Sequence, residues 1–448
     1  MAGRDTQQIQ KGMTTFAIQA RTNGDVGGLM SEDKIFSGLR VVDLASFIAG
    51  PAATTVLSDF GADVVKVEPP GFGDPYRILH RTPPNPASDF DYAWQLTNRN
   101  KRGLALDLKN PESREVLAAL VKWADVFVTN SPPRVRKSLK LTYEDIAPLN
   151  DRLIYADITG YGDFGPAADE PGYDITAYWA RSGLMAMTRD AGSDPTLPIP
   201  GIGDHATAIT LYSAIVTGLY QREKTGKGTR VTTSLIAEGA WAAATWIEGA
   251  LNHAKFFGLH DRKDPPNALL NPYPTSDDRW ILLVLAQQDR DWPELVNVIG
   301  RPELLSDERF SDVKKRSANA GALAGILDEA FKRQPLAHWK EAFGKTRITV
   351  GVVQTLEEVV HDEQLLANNI LVPVQGAEPE VRTVNSPMQV IGAAKVSPRR
   401  APNVGEHTAE VLLELGFSRQ KVEALRVSGA APQAAHAALP THAPGKPI

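Results

Sequence analysis

The segment Pro200-Gly201-Ile202-Gly203-Asp204-His205 places one acid between glycines and a histidine, just before a mostly apolar stretch whose spacing predicts a helix from Ala206 to about Tyr220. A carboxylate there can attack an electrophilic carbon and split one hard transfer into easier steps. It can equally be an N-cap, because an Asp side chain satisfies backbone N–H groups that a first helical turn leaves free. A helix start also favours the ionised form of such an acid, so the two roles are compatible. Other chemistries lack their residues. The chain has no cysteine, which removes thiolate nucleophiles, thiolate metal sites and disulfides together. Its histidines form no H-x-x-x-H or H-E-x-x-H pair, so no metal is expected, and no G-x-S-x-G elbow is present.

The basic residues cluster near strand ends. Asn98 to Arg102 and Lys109 flank an apolar strand at Leu104–Leu108, and Arg134, Arg136, Lys137 and Lys140 follow a strand ending near Thr129. Such groups suit a ligand carrying several phosphates, or are solvated surface charges.

The elements that must position these residues alternate. Leu39–Leu44 reads as a strand, Ala52–Phe60 as a helix and Ala62–Glu68 as a second strand, which makes a βαβ unit. Leu104–Leu108, a helix opened by Pro111 and reaching Trp123, Val126–Thr129, a helix at Tyr143–Leu149 and Leu153–Ile158 continue the pattern. Arg230–Leu235 reads as a strand and Ile236 to about Phe257 as one long helix. The first half is therefore expected to be α/β and Rossmann-like. Between strand and helix the chain offers only Ala49-Gly50-Pro51-Ala52 in place of G-x-G-x-x-G, which sets NAD and FAD aside. Beyond a proline-rich stretch near 260, a strand from Trp280 and helices near 292–299, 319–333 and 337–344 predict a smaller α+β unit. Glu406–Arg426 reads as a last amphipathic helix. The expected layout is an extension over 1–34, a large domain over 35–258, a small domain with linkers over 259–395, a returning helix over 396–428 and a poorly ordered tail over 429–448.

Of the 448 residues 42% are hydrophobic and the net charge is only −5, so a large core is expected and a nucleic-acid surface is not. No apolar run is long enough for a membrane span, and Met1–Lys34 lacks the apolar core of a secretory signal. Together with the missing cysteines, this predicts a cytoplasmic protein.

The chain resembles the class III coenzyme A transferases, the CaiB/BaiF family that includes formyl-CoA:oxalate and carnitine CoA-transferases. The resemblance runs through Gly38-Leu39-Arg40-Val41-Val42-Asp43, Ala49-Gly50-Pro51, Gly61 to Gly71 with Gly73-Asp74 and Arg77, and Asn98 to Arg102 with Leu106 to Lys109. It continues through Ala124-Asp125-Val126 and Asn130, Gly172-Tyr173-Asp174, Ser182-Gly183-Leu184, Gly203-Asp204, Lys224 to Gly228 and Gly405-Glu406-His407-Thr408. It implies that Asp204 is a nucleophile that becomes an aspartyl-CoA thioester, with Asp174, Tyr173 and Gly203 in support. Backbone N–H groups at Gly201 and Gly203 are candidates for meeting the oxyanions formed on the way. It implies CoA contacts at Ala49, Leu106, Lys109 and Asn130. The family's basic residue corresponds to Ser138, so Arg136 or Lys137 beside it is the substitute, and Arg102 is a further candidate. It also implies an interlocked homodimer, acyl-CoA and a free acid as substrates, and no tightly bound cofactor.

Two departures bear on specificity. Ile48 stands where the formyl-CoA branch has glutamine, which points to a larger or less charged acyl group than oxalate. Residues 255–275 also lack that branch's glycine-rich flap. The alternatives are an α-methylacyl-CoA racemase, whose general-base histidine is replaced here by Tyr173, and a non-catalytic CoA-binding protein of the same fold.

Overall fold

The computed structural model describes residues 34–433 except 84, 257 and 378–380. The readings of residues 1–33 and of the tail beyond 433 lie outside the described residues.

Six parallel strands form the main sheet: β1 (Arg40–Asp43), β2 (Asp63–Glu68), β3 (Arg102–Ala105), β4 (Val126–Thr129), β5 (Ile154–Thr159) and β6 (Thr229–Ser234), in the order β3-β2-β1-β4-β5-β6. The chain starts in the middle, builds outward to one edge, then returns past β1 to build the other. The carboxyl ends of β1 and β4 therefore diverge into a crevice at the point where the order reverses, the usual ligand position in such sheets.

Alternate strand residues face opposite sides, and each side has its own core. Val41, Val64, Val126, Val128, Ile154 and Ala156 pack under α1 (Ala49–Asp59), α2 (Tyr92–Asn98) and α7 (Ile202–Thr225). Val42, Val65, Val67, Phe127 and Tyr155 pack under α3 (Ser113–Trp123) and against α16 (Thr408–Glu414) and α17 (Arg419–Val427), which arrive from the far end of the chain. Ala430 and Ala431 are buried in the same core, so the predicted tail is anchored at its start. The short helices α4 (Pro133–Ser138), α5 (Tyr143–Ile146) and α6 (Leu184–Met187) and a π-helix at Asp174–Ala180 fill the connections.

Three helix predictions are corrected. α7 begins at Ile202 rather than Ala206, which puts Asp204 inside its first turn and Gly201 at the N-cap. The long helix from Ile236 is two, α8 (Leu235–Ala242) and α9 (Ala244–Leu251), broken at Ala243. The last helix is α16 and α17, divided where Gly416 takes φ 91°.

A second, antiparallel sheet joins β7 (Leu270–Pro274), β8 (Trp280–Val284) and β9 (Thr349–Val352). Its core, with Tyr273, Ile281, Leu283, Trp292, Phe310 and Phe331, is closed by α10 (Gln288–Val298), α11 (Val313–Ala318), α12 (Ala320–Phe331) and α13 (Leu336–Phe343). The pair β10 (Leu371–Pro373) and β11 (Arg382–Val384) follows α14 (Leu356–Val359) and α15 (Glu363–Ala367). Among the described residues no helix is long and apolar enough to cross a membrane.

Candidate active site

The crevice is built on the loop Leu44–Ile48, which leaves β1 and enters α1. Its backbone is held by side chains on three sides. Asp43 accepts the N–H of Ala45 at 3.1 Å, Asn130 accepts that of Ser46 at 2.8 Å, and Asp74 accepts that of Phe47 at 3.2 Å. Asn130 also donates to the Ser46 carbonyl at 2.7 Å, and buried Lys66 donates to the Ala45 carbonyl. These bonds keep Phe47 at φ 62°, a left-handed conformation that a bulky residue rarely takes unaided. The loop is thereby fixed before any ligand arrives.

Beneath it lies an ionic network. Lys66 is 3.1 Å from Asp74 Oδ2 and 3.9 Å from Asp43 Oδ1, and Lys101 is 2.8 Å from Asp43 Oδ2. Burial works against the Asp43 anion, but the two lysines outweigh it and hold the carboxyl below its usual range. Burial pulls Lys101 down to about 8, only partly offset by Asp43. Sequence reasoning counted Lys101 among the basic residues suited to phosphates, which its burial against Asp43 corrects, and gave Asp43, Lys66 and Asp74 no role. The available signal was Lys66 inside the apolar run Val64-Val65-Lys66-Val67, since a lysine in a buried strand requires a partner.

Asp204 reaches this crevice because α7 feeds the parallel strand β6, so its first turn lies at the carboxyl edge of the sheet. A Cβ on Gly201 would sit 3.0 Å from Ile48 Cδ1, which puts the N-cap of that turn against the loop. No local side chain caps α7. Asp174, at the start of the π-helix, does so from 27 residues upstream, accepting the Gly201 N–H at 2.6 Å. The capping role open to Asp204 thus belongs to Asp174, and the Gly201 N–H considered for an oxyanion is already engaged. Gly203 is required by close packing, because a Cβ there would overlap Asp174 Oδ1 and the Tyr178 ring.

The two acids perturb one another's surroundings. Burial, then the charge of Asp174, pushes Asp204 up to about 7. Burial also raises Asp174, against the pull of the N–H groups at the helix start. Burial and the positive charge of Arg99 lower the pKa of His205.

The other candidates divide by position. Ile48 and Ala49 are buried where the loop enters α1, half-buried Asn130 is bonded to the Ser46 backbone, and buried Leu106 and exposed Lys109 follow β3 at the same edge of the sheet. Lys137 is exposed on α4. Arg136 is buried and paired with Asp157 at 2.8 Å, so its guanidinium is committed inside the protein. Arg102 opens β3 at the opposite edge and binds Asp63, Glu410 and Glu414 at 2.6, 3.0 and 2.6 Å; it fastens α16 and does not face the crevice. Tyr173 is 64% exposed. Among the described residues no group of acids and histidines could hold a metal ion.

Comparison with known proteins agrees with this geometry. The chain is 33% identical over 390 residues to (R)-2-hydroxy-4-methylpentanoate CoA-transferase of Clostridioides difficile, covering 87% of this chain and 97% of that protein. It is 30% identical over 393 residues to succinyl-CoA:glutarate CoA-transferase of Homo sapiens, covering 86% and 87%. The crystal structure of a CaiB/BaiF family protein from Brucella suis superposes with a TM-score of 0.77 at 29% identity, over 86% of this chain and all of that one. The sequence model of CoA-transferase family III matches residues 36–408, and the chain, with its switch-point crevice and its acid in the first turn of α7, is an enzyme of that family.

Proposed function

We propose that the enzyme moves CoA from an acyl-CoA donor to a free carboxylic acid with Asp204 as the covalent carrier. The observation that carries this reading is the placement of Asp204, an acid raised to about 7 in the first turn of α7 beside the preorganised loop that bears Ile48. An Asp204 oxygen attacks the thioester carbon, the C–S bond breaks, and the CoA thiolate leaves a mixed anhydride behind. The thiolate then attacks the Asp204 carbonyl, expels the donor acid as its carboxylate and makes the aspartyl-CoA thioester. The acceptor carboxylate attacks that thioester, and the thiolate released attacks the acceptor's acyl carbon, returning Asp204 to its carboxylate. No proton is consumed, and each step exchanges one acyl bond for another.

Asp174 supports the carrier in two ways. It holds the first turn of α7 in place, and its charge raises the basicity of Asp204. For CoA, the N-terminus of α1 at Ala49 faces the crevice with free N–H groups suited to phosphate oxygens, next to Asn130. Leu106 is buried in the core beneath this edge of the sheet, and exposed Lys109, Arg134 and Lys137 are cations near it with no ion pair among the described residues. Residues 35–258 and 396–428 serve as the CoA-binding domain and 259–395 as the smaller one. The enzyme acts as an interlocked homodimer; the exposed Trp241, Trp246 and Leu251 of α8 and α9 give it an apolar surface to bury.

The reading is tested by mixing wild type and Asp204→Ala with a panel of acyl-CoAs, quenching with hydroxylamine and mapping the modified residue by mass spectrometry. Modification at Asp204, with transfer abolished and CoA binding retained in Asp204→Ala, is the expected result. Turnover by that variant, or exchange of an α-proton with D₂O in place of transfer, would overturn it in favour of the racemase chemistry.

A further inference from the structure

Packing does not account for the strained residue of the crevice loop. From Val41 to Phe60 every residue is buried except Ser46, which is half-buried, and Phe47, which is 39% exposed. Phe47 is also the residue held at φ 62°. A left-handed backbone disfavours any residue with a Cβ, and burial of the side chain, the usual offset, is missing here. What the turn fixes is the next residue. Ile48 is the N-cap of α1, and its Cδ1 lies 3.0 Å from where a Cβ on Gly201, the N-cap of α7, would stand. Asp204 follows in the first turn of that helix. The strain therefore sets how the start of α1 meets the start of α7.

Asp43 and Asn130 bond the two residues before the turn, and Asp74 takes the N–H of Phe47 itself. Asp74 is 1% exposed, and its own N–H donates to Glu68 Oε2 at 2.9 Å. Its Oδ1 also accepts the Tyr76 N–H at 3.0 Å, which caps the 3-10 turn Pro75–Arg81. A cap requires one such bond; the second crosses 27 residues to reach the loop. Oδ2 is 3.1 Å from Lys66, whose ammonium stays charged because Asp43, Asp74 and Glu68 together outweigh its burial. Lys66 in turn donates to the Ala45 carbonyl, so this one ion pair grips the loop on both sides of Ser46. Asp174 does the corresponding work across the contact, through the Gly201 N–H.

We propose that Asp74 is a positioning residue for the transfer: paired with Lys66, it keeps Phe47 left-handed and thereby holds Ile48 against the start of α7, where Asp204 stands. The proposal rests on Asp204 being the acyl carrier, since that makes the first turn of α7 the place where position decides rate.

The test is a double-mutant cycle over Asp74→Ala and Phe47→Gly, since glycine takes a left-handed turn without restraint. Acetyl-CoA, succinyl-CoA and 4-methylpentanoyl-CoA are each mixed with their own ¹³C-labelled acid, and label entering the thioester is followed by mass spectrometry. Asp74→Ala alone is expected to lower kcat by about 10- to 100-fold, the range for a small displacement at a reacting group. In the Phe47→Gly background the loss should be at least about 5-fold smaller, because a residue without a Cβ carries no penalty for the left-handed turn. Equal losses in the two backgrounds, a change confined to KM, or a lower melting temperature with kcat unchanged each overturn the proposal. A crystal structure of Asp74→Ala decides the matter even if none of the three acyl groups is exchanged: Phe47 is expected to relax to negative φ, and a Phe47 that remains left-handed overturns the proposal. Hydroxylamine trapping on the same samples separates the two readings. Coupling between the substitutions with no adduct at Asp204 in wild type keeps the positioning role and removes the carrier role; an adduct at Asp204 without coupling does the reverse.

Discussion

An acid proposed to attack has to be ionised, and Asp204 is held where ionisation is unfavourable. With its pKa at about 7, transfer is expected to rise with pH through that value. The same shift is a stability statement. Because the folded pKa lies above the ordinary value of 3.8, the contribution is fully present below about 3.8 and is lost as pH rises through about 7. Asp204→Asn, which removes the charge and keeps the shape, should therefore be more stable than wild type at pH 8 and gain less at pH 4 in denaturant titrations. The gain is at most about 4 kcal/mol, and smaller to the extent that water reaches the carboxyl. Asp174→Asn still accepts the Gly201 N–H but carries no charge, so the midpoint of the pH–rate curve should move to lower pH. A midpoint that stays in place would show that Asp174 acts on Asp204 through position alone.

At the scale of elements, the start of α7 explains why the sequence placed the helix four residues late. The N-cap is Gly201 at φ 94°, which has no side chain to read as a cap. The acid that does the work lies in another segment and arrives only through folding. The break at Ala243 was invisible for a similar reason: no proline or glycine occupies it, and α8 is set by packing, with Gly239 close against the Tyr178 carbonyl. The close fit at α7 makes a pair of glycine substitutions informative. Gly203→Ala would force a methyl into Asp174 and Tyr178 and should lower stability by about 1–3 kcal/mol along with activity. Gly325→Ala in α12, where a Cβ meets nothing within 4 Å, should be neutral or stabilise by up to about 1 kcal/mol through helix propensity. Thermal unfolding of the two variants checks both signs.

On the whole-molecule scale, helices from late in the sequence return to the main sheet. α16 and α17 complete the core on one face of the main sheet with Val411, Leu412 and Leu425, and Arg102 bridges Asp63 on β2 to Glu410 and Glu414 on α16. The exposed tryptophans of α8 and α9 predict a second copy on that surface. Light scattering after gel filtration should give twice the 48.6 kDa chain mass, and, if the chains interlock, labelled subunits should not exchange without unfolding. A monomer would contradict the first expectation, and free exchange the second. The sequence by itself determined the α/β class, most strand positions and the family, because runs such as Val126–Thr129 and ordered motifs such as Gly203-Asp204 carry their meaning locally. The pairings of Arg102, Arg136 and Asp74 were decided only by the tertiary structure. A charged side chain is a ligand contact, an internal ion pair or an anchor according to which distant carboxylate it meets, and that pairing belongs to the packed sheet rather than to any segment of it.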